Sequence, residues 1–122
     1  MKSLNNQIIW NFTGKPAKLQ DVIDCCGKGW NDVIASLVSD LFELGWDGQL
    51  FQAKEKFGGL RFYIAQGNEA IWERISRAEN ESQSTCIECG EPGKVYYDGW
   101  MLPLCEKHAK ENGRTDTGIP TT

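Results

Sequence analysis

The sequence predicts an α+β fold in which amphipathic helices pack on an antiparallel sheet built around a β-hairpin. Two runs with alternating character, 51–57 and 60–65, flank a Gly-Gly pair, which is typical of a tight hairpin. A stripe of apolar residues at helical spacing precedes them, over 30–44. Paired cysteine and histidine half-sites follow near the end of the chain, and they predict a small metal-held module.

The bulk properties indicate an ordinary soluble protein. Its 122 residues suit one compact domain, or one domain with a small module. The net charge of −4 disfavours a general duplex-DNA binder, which would carry a basic surplus. No apolar run approaches the roughly 20 residues that span a bilayer, and residues 1–7 lack the apolar core of a signal peptide. We therefore expect a cytoplasmic protein with no membrane partner.

The first third of the chain predicts a strand and a helix before the main hairpin. The apolar run over 8–12 predicts a short strand or an extended arm. Pro16 suits the first turn of a helix that continues through 19–26. Cys25 and Cys26 are adjacent and unsuited to joint chelation, so we interpret them as buried thiols.

Two amphipathic helices are predicted. The first covers 30–44, and we expect it to lie across the apolar face of the hairpin. Its stripe comprises Trp30, Val33, Ile34, Leu37, Val38, Leu41 and Phe42. The second begins after Asn68, a favourable N-cap. We predict Ile71, Trp72, Ile75 and Ala78 on its apolar edge. Arg74 and Glu79 are predicted on its solvent side.

The hairpin itself has one apolar and one cationic face. A turn made of the Gly-Gly pair at 58–59 would place Lys56 opposite Arg61 and Lys54 opposite Tyr63. The predicted core face comprises Phe51, Ala53, Phe57, Leu60, Phe62 and Ile64. The other face gathers three cations beside Tyr63, and neighbouring like charges destabilise a hairpin. Either the protein's own carboxylates or an anionic partner should therefore neutralise that face, and the sequence leaves both open.

Four residues near the end of the chain have the spacing of metal ligands. They are Cys86, Cys89, Cys105 and His108, two half-sites separated by a 15-residue spacer. This pattern predicts a tetrahedral Zn²⁺ site. Because four protein ligands fill the coordination sphere, the zinc would be structural rather than catalytic. A second hairpin is predicted between the half-sites around Asp98 and Gly99, which completes a zinc-ribbon-like module.

These elements divide the chain into three predicted parts. We expect an α+β core domain over 1–84, a zinc-binding module over 85–112 and a flexible tail over 113–122. No serine sits in a nucleophile elbow and no phosphate loop is present. The only histidine, His108, is assigned to the metal, so the cysteines lack a catalytic base. The sequence therefore does not predict an enzyme.

The block Lys-Glu-Lys-Phe-Gly-Gly-Leu-Arg-Phe-Tyr over 54–63 resembles a family of small uncharacterised proteins. Gly45 and Trp46 before it and the Cys/His pairs after it extend the resemblance over roughly 30–108. This family occurs in bacteriophages, prophages and bacterial mobile elements. The resemblance implies a viral or bacterial setting in the host cytoplasm, without an activity or catalytic residues. By analogy it implies an accessory protein that counteracts a host defence.

Three functions fit these observations. The first is a non-enzymatic accessory protein whose cationic face, Lys54, Lys56, Arg61 and Tyr63, binds and inhibits a host macromolecule, in first place a host protein or protein complex. The second is a sponge for a nucleotide signal, with the cations on phosphates and Tyr63 stacked on a base. The third is nucleic-acid binding through the zinc module, whose lysines are offset by carboxylates. A homodimer through an exposed hairpin edge is also left open.

Overall fold

A computed structural model describes residues 8–10, 15–24, 26–97 and 101–113. The strands and helices follow one another in this order: β1 (Ile8–Trp10), β2 (Lys15–Ala17), α1 (Leu19–Ile23), α2 (Asn31–Glu43), β3 (Gln49–Lys56), β4 (Gly59–Ile64), α3 (Glu69–Ser82), β5 (Lys94–Tyr96), β6 (Leu102–Leu104) and α4 (Glu106–Glu111). A 3-10 turn at Lys28–Trp30 leads into α2. The predicted α+β class is confirmed. None of the helices formed by the described residues is long and apolar enough to cross a bilayer.

The main sheet has the strand order β2-β1-β3-β4 and is mixed rather than purely antiparallel. β1 runs parallel to β3, whereas its pairing with β2 and the β3–β4 pairing are antiparallel. The predicted strand at the start of the chain is therefore confirmed. The prediction for Pro16 is wrong, because it lies in β2 opposite Ile9. Proline has no N–H to donate, and an edge strand tolerates this.

The segment between β2 and α2 contains the adjacent cysteines. α1 is only five residues long and ends before them. Cys25 lies outside the described residues. Cys26 is half-buried and packs against the core, which partly supports its interpretation as a buried thiol.

α2 carries the predicted apolar stripe. All of its members are buried except Phe42, which is half-buried against the core. The α2 stripe shares one hydrophobic core with the apolar face of the hairpin, as expected, while α3 packs directly against β4 and α2 also packs against α3. The core is continuous from α2 to the sheet, since Trp46 joins the Phe42 and Phe62 rings at centroid distances of 5.0 and 6.0 Å.

α3 begins at the predicted cap, because Asn68 Oδ1 accepts the backbone N–H of Ile71 at 2.9 Å. Two expectations for its faces are wrong. Trp72 is exposed, and Arg74 is buried with its Nε donating to Asp40 Oδ2 of α2 at 2.7 Å. Glu79, also predicted to face solvent, is half-buried. The reason is that α3 is contacted from two sides, by β4 and by α2, which requires a wider buried surface than one apolar edge.

The hairpin turn lies one residue earlier than predicted. Phe57 and Gly58 form it, with φ of 53° and 85°, and Lys54 therefore stands opposite Arg61. Gly58 is fixed in the turn by a hydrogen bond and by the closeness of the Val95 side chain. Glu55 Oε2 accepts its N–H at 2.8 Å, and a Cβ on Gly58 would lie only 2.7 Å from the Val95 side chain. A residue with positive φ that also approaches its neighbour this closely has to be glycine.

The apolar face of the hairpin is confirmed for four of its six predicted members, Ala53, Leu60, Phe62 and Ile64, which are buried. Phe51 and Phe57 are exposed, so their assignment to the core is wrong. The register of β3 shifts at Phe51, between Leu50 and Gln52. An extra residue at a bulge breaks the period of two, and Leu50 takes the core position instead.

The C-terminal part contains the predicted second hairpin, β5–β6, and the short helix α4 follows it. The strands pair Tyr96 with Leu102, whereas the predicted turn residues Asp98 and Gly99 lie outside the described residues. Most of the predicted tail over 113–122 also lies outside them. The division at 84/85 stays a prediction, and the hydrophobic core runs across it without a break.

Candidate functional site

The four residues that the sequence predicts as metal ligands come together in the structure. The ligand atoms of Cys86, Cys89, Cys105 and His108 all lie within 4.8 Å of one another. Cys86 and Cys105 are buried, His108 is half-buried and Cys89 is exposed. The chain therefore has a Cys3His cluster that could hold a metal ion.

Two tight backbone turns present these ligands. In the first, the carbonyl of Cys86 accepts the N–H of Gly90 at 2.8 Å, and Gly90 has the positive φ (85°) expected of it. In the second, Cys105 is the N-cap of α4, and its Sγ accepts the backbone N–H of His108 at 3.4 Å. Each half-site thus holds its own two ligands close together before a metal binds.

Three of the ligand-atom distances in the cluster fit a tetrahedral zinc ion, and every pair of ligand atoms lies within 4.8 Å. Cys89 Sγ and Cys105 Sγ are 3.7 Å apart, and His108 Nδ1 lies 3.3 Å from Cys105 Sγ and 3.7 Å from Cys86 Sγ. Zn–S and Zn–N bonds of about 2.3 and 2.0 Å would place two sulfurs about 3.8 Å apart, and sulfur and nitrogen about 3.5 Å apart. Three sulfurs and one imidazole also form a donor set that suits zinc.

The orientation of the histidine identifies the nitrogen that faces the cluster. Nδ1 of His108 points to the sulfurs, and Nε2 lies 3.9 Å from Oε1 of Glu111. This separation is longer than a hydrogen bond, so Glu111 places a negative charge near the imidazole without directly fixing its tautomer.

The thiols of the cluster have different acidities. The backbone N–H of His108 lowers the pKa of Cys105 to about 7, and the hydrogen bonds with His108 and the other thiols act in the same direction. At Cys89, a backbone hydrogen bond at Glu91 lowers the pKa, but the partial loss of hydration beside the neighbouring thiols of Cys105 and Cys86, together with those thiols themselves, outweighs it, so the pKa is raised. A cation between the sulfurs would favour the thiolate form of all of them.

The first metal knuckle packs tightly against the start of α2. Gly29 N–H donates to the carbonyl of Ile87 at 2.9 Å, and the buried Trp30 donates its Nε1–H to the carbonyl of Thr85 at 2.9 Å. A Cβ on Gly29 would lie 2.2 Å from the carbonyl oxygen of Cys86. The metal cluster and the helical core therefore form one packed unit at this point.

The second candidate site is the solvent-facing side of the hairpin. We call it the open sheet face and define it by these residues: Phe51, Gln52, Lys54, Lys56, Arg61 and Tyr63. Lys54 is paired directly with Arg61, and Gln52 with Tyr63, so these side chains share one face. The predicted cluster of cations beside a tyrosine is thus present, although in a register different from the predicted one.

No carboxylate among the described residues forms an ion pair with Lys54, Lys56 or Arg61. Glu55, which could have neutralised them, stands opposite Leu60 on the other side of the hairpin and accepts the N–H of Gly58. Lys56 Nζ lies 5.4 Å from the centroid of the Phe57 ring, which is a cation–π contact and leaves its charge in place. The open sheet face is therefore cationic.

Comparison with protein-family models, with curated proteins and with solved structures found no match for this chain. Its function therefore has to be inferred from the metal cluster and the open sheet face.

Proposed function

We propose that this protein is a non-enzymatic binding protein. Its open sheet face captures an anionic macromolecule, and a structural Zn²⁺ held by Cys86, Cys89, Cys105 and His108 fixes the C-terminal part of the chain. The observation that carries the binding proposal is the direct pairing of Lys54 with Arg61, without an ion pair to any carboxylate that the structure describes.

Two like charges opposite each other in a hairpin are unfavourable, and this chain has enough carboxylates to neutralise such a pair. Cross-strand pairs contribute up to about 1 kcal/mol, and two cations in such a pair act against the hairpin. The chain has 17 acidic residues and 13 basic ones, so carboxylates are plentiful. An anionic partner seated on the open sheet face would neutralise the pair and convert this cost into binding free energy.

The zinc proposal rests on the donor set and on where the ligands lie. Three sulfurs and one imidazole nitrogen at tetrahedral separations match Zn²⁺. Cys86 and Cys105 belong to the same hydrophobic core as Ile87 and Leu104. A metal bound there would hold the two knuckles together and stabilise the core around them.

The setting of the proposal comes from the resemblance of residues 54–63 to proteins of phages and prophages. It supports a partner from the host cell, a location in the host cytoplasm and an inhibitory role in counteracting a host defence. These are steps of analogy, and they add no catalytic group to the site.

The proposal is tested by capture of partners from host lysate with the tagged, zinc-loaded protein. We expect Arg61→Glu and Lys56→Glu to lose any partner that the wild type enriches, because each substitution reverses a charge on the open sheet face. Arg77→Glu is the matched control, because Arg77 is exposed on α3. Equal recovery of the same partner by wild type and both test variants would contradict the proposal, provided that their thermal unfolding is unchanged.

A further inference from the structure

We infer that the anionic partner is a single-stranded nucleic acid, whose bases stack on Tyr63 and Phe51 while its phosphates contact Lys54, Lys56 and Arg61. This inference rests on the proposed function and names the chemical class of the ligand. It depends on aromatic side chains that the structure leaves exposed around the cations.

Three aromatic rings lie in or beside the open sheet face, and each is well exposed. The exposed fractions are 52% for Phe51, 43% for Tyr63 and 65% for Phe57. Three of the six large apolar side chains that are exposed among the described residues thus lie in or beside this one face, and a grouped exposed patch is typical of a binding surface. Their exposure beside uncompensated cations is therefore a feature that a ligand should explain.

The bulge in β3 brings two of these rings to the same place. Residue 63 stands opposite Gln52, and the extra residue, Phe51, precedes Gln52 in the bulge. At a bulge two residues of one strand oppose one residue of the other, so Phe51 and Tyr63 are neighbours. Both exposed rings therefore belong to the surface at the same end of the Lys54–Arg61 pair.

The cations continue from this surface along both strands. Towards the hairpin turn, Arg61 is the next residue after Tyr63 on the same face of β4. Lys54 and then Lys56 are the next residues after Gln52 on the same face of β3, again at steps of two residues. Residues two apart on a strand are separated by about 6.6 Å. The open sheet face thus presents exposed rings at one end and positive charges along the strands beyond it, and a single-stranded nucleic acid can contact both with its bases and phosphates.

Other anionic partners fit this arrangement less well. In a duplex the bases are stacked on one another, so the exposed rings would have nothing to stack on. An acidic protein surface would also satisfy the cations, but it would cover the rings only where it presents apolar side chains between its carboxylates. Single-stranded nucleic acid satisfies both, since every base offers a π-face and every nucleotide carries a phosphate.

The test measures the affinity of the zinc-loaded full chain for labelled oligothymidylate and oligouridylate of about ten nucleotides. Fluorescence anisotropy reports binding, and the competitors are a duplex, polyphosphate, polyglutamate and a cyclic dinucleotide. We expect the single strands to bind, with a slope of log K against log salt concentration of about −2 for three cation–phosphate contacts. Arg61→Gln should reduce the slope to about −1.4.

The stacking contribution is tested with Tyr63→Leu, which keeps an apolar side chain but removes the ring. We expect affinity for the single strand to fall roughly five- to hundredfold. Trp72→Leu is the matched control, because Trp72 has a similar exposure, 44%, on α3. Arg77→Gln is the control for charge, and both controls should bind like the wild type.

The alternative results separate this inference from the proposed function. Equal affinity for polyphosphate and the single strand, with no effect of Tyr63→Leu, would overturn the inference while leaving an anionic partner in place. Tighter binding of polyglutamate would overturn it in favour of an acidic protein, and tighter binding of the cyclic dinucleotide in favour of a nucleotide signal. Both would be overturned if no polyanion bound and if Arg61→Glu captured the same partner from lysate as the wild type.

Discussion

Glu79 on α3 accepts a hydrogen bond from the backbone N–H of Phe62 on β4, with 3.0 Å between Oε2 and N. Ser82, one helical turn later, does the same for Leu60 at 2.8 Å. These two N–H groups point away from β3, to the side on which another strand would add. The expectation of an exposed hairpin edge is therefore wrong for β4, because α3 covers it. A homodimer through a hairpin edge stays a prediction, since β4 is one of the hairpin's two edges and β3 is the other.

Removal of the Ser82 hydroxyl should destabilise the protein. Ser82 is fully buried, and its Oγ accepts the Leu60 N–H while donating to the carbonyl of Glu79 at 2.6 Å. In Ser82→Ala the Leu60 N–H is left buried without an acceptor, which costs about 1–3 kcal/mol. Chemical denaturation should show this loss in the free energy of unfolding.

Ser84→Ala is the control for Ser82→Ala, because Ser84 is exposed and only donates to the carbonyl of Glu81. Its free energy of unfolding should stay close to that of the wild type. If the two variants were equally stable, the hydrogen bond from β4 to α3 would contribute nothing measurable.

Removal of zinc by a chelator should lower the stability of the whole chain rather than of a separate module. Cys86 and Cys105 share one hydrophobic core with α2 and the sheet, so unfolding around the metal also exposes that core. At a free zinc concentration 1,000 times the Kd, the bound ion contributes about 4 kcal/mol. Calorimetry should show one transition that moves to lower temperature on chelation.

Single substitutions check which thiols hold the metal. Cys89→Ser should lose bound zinc, measured as moles of metal per mole of protein. Cys26→Ser should keep it, since Cys26 lies outside the four-residue cluster. Full zinc content in Cys89→Ser would show that the predicted ligand set is wrong.

Gly29→Ala should separate the metal knuckle from the start of α2. The added Cβ would lie 2.2 Å from the carbonyl oxygen of Cys86 and 2.6 Å from the backbone N of Cys89, and backbone atoms cannot turn aside as a flexible side chain can. Overpacking of this kind typically costs about 1–3 kcal/mol. We expect both a lower unfolding temperature and weaker zinc binding.

The neighbouring substitution Lys28→Ala is the control for Gly29→Ala, since Lys28 is exposed in the same 3-10 turn. It should change neither property. Wild-type stability in Gly29→Ala would mean that the close approach of the two segments is not needed for the fold.

Zinc binding should weaken as the pH falls through about 7. The pKa of Cys105 is lowered from 9.0 to about 7, so its thiolate is present above that pH and is lost below it. Protons then compete with zinc for the ligand. Calorimetric titrations in buffers of different ionisation enthalpy should show that Cys105 adds about 0.8 to the number of protons released per zinc at pH 6 compared with pH 8. Equal proton release at the two pH values would contradict the assignment.

The sequence predictions were correct where the interactions join residues close in sequence, and they were wrong where the interactions join residues distant in sequence. The stripe of α2 and the cap at Asn68 depend on residues within a few positions, and both were correct. The turn was misplaced because Val95, which packs against Gly58, is distant in sequence. Arg74 was misassigned because its partner, Asp40, belongs to another helix. The exposure of Phe51 depends on a bulge that alternation cannot show.

The sequence by itself determined the α+β class, the amphipathic helices and the four residues of the metal cluster. Helical periodicity and ligand spacing are local properties, and the chemistry of three cysteines and one histidine is the same in any fold. Tertiary structure alone decided whether the hairpin's cations are neutralised. It directed Glu79 to the backbone of β4 and paired Arg74 with Asp40. Only the packing of separate elements determines where each carboxylate points, and it left Lys54 and Arg61 facing each other on the open sheet face.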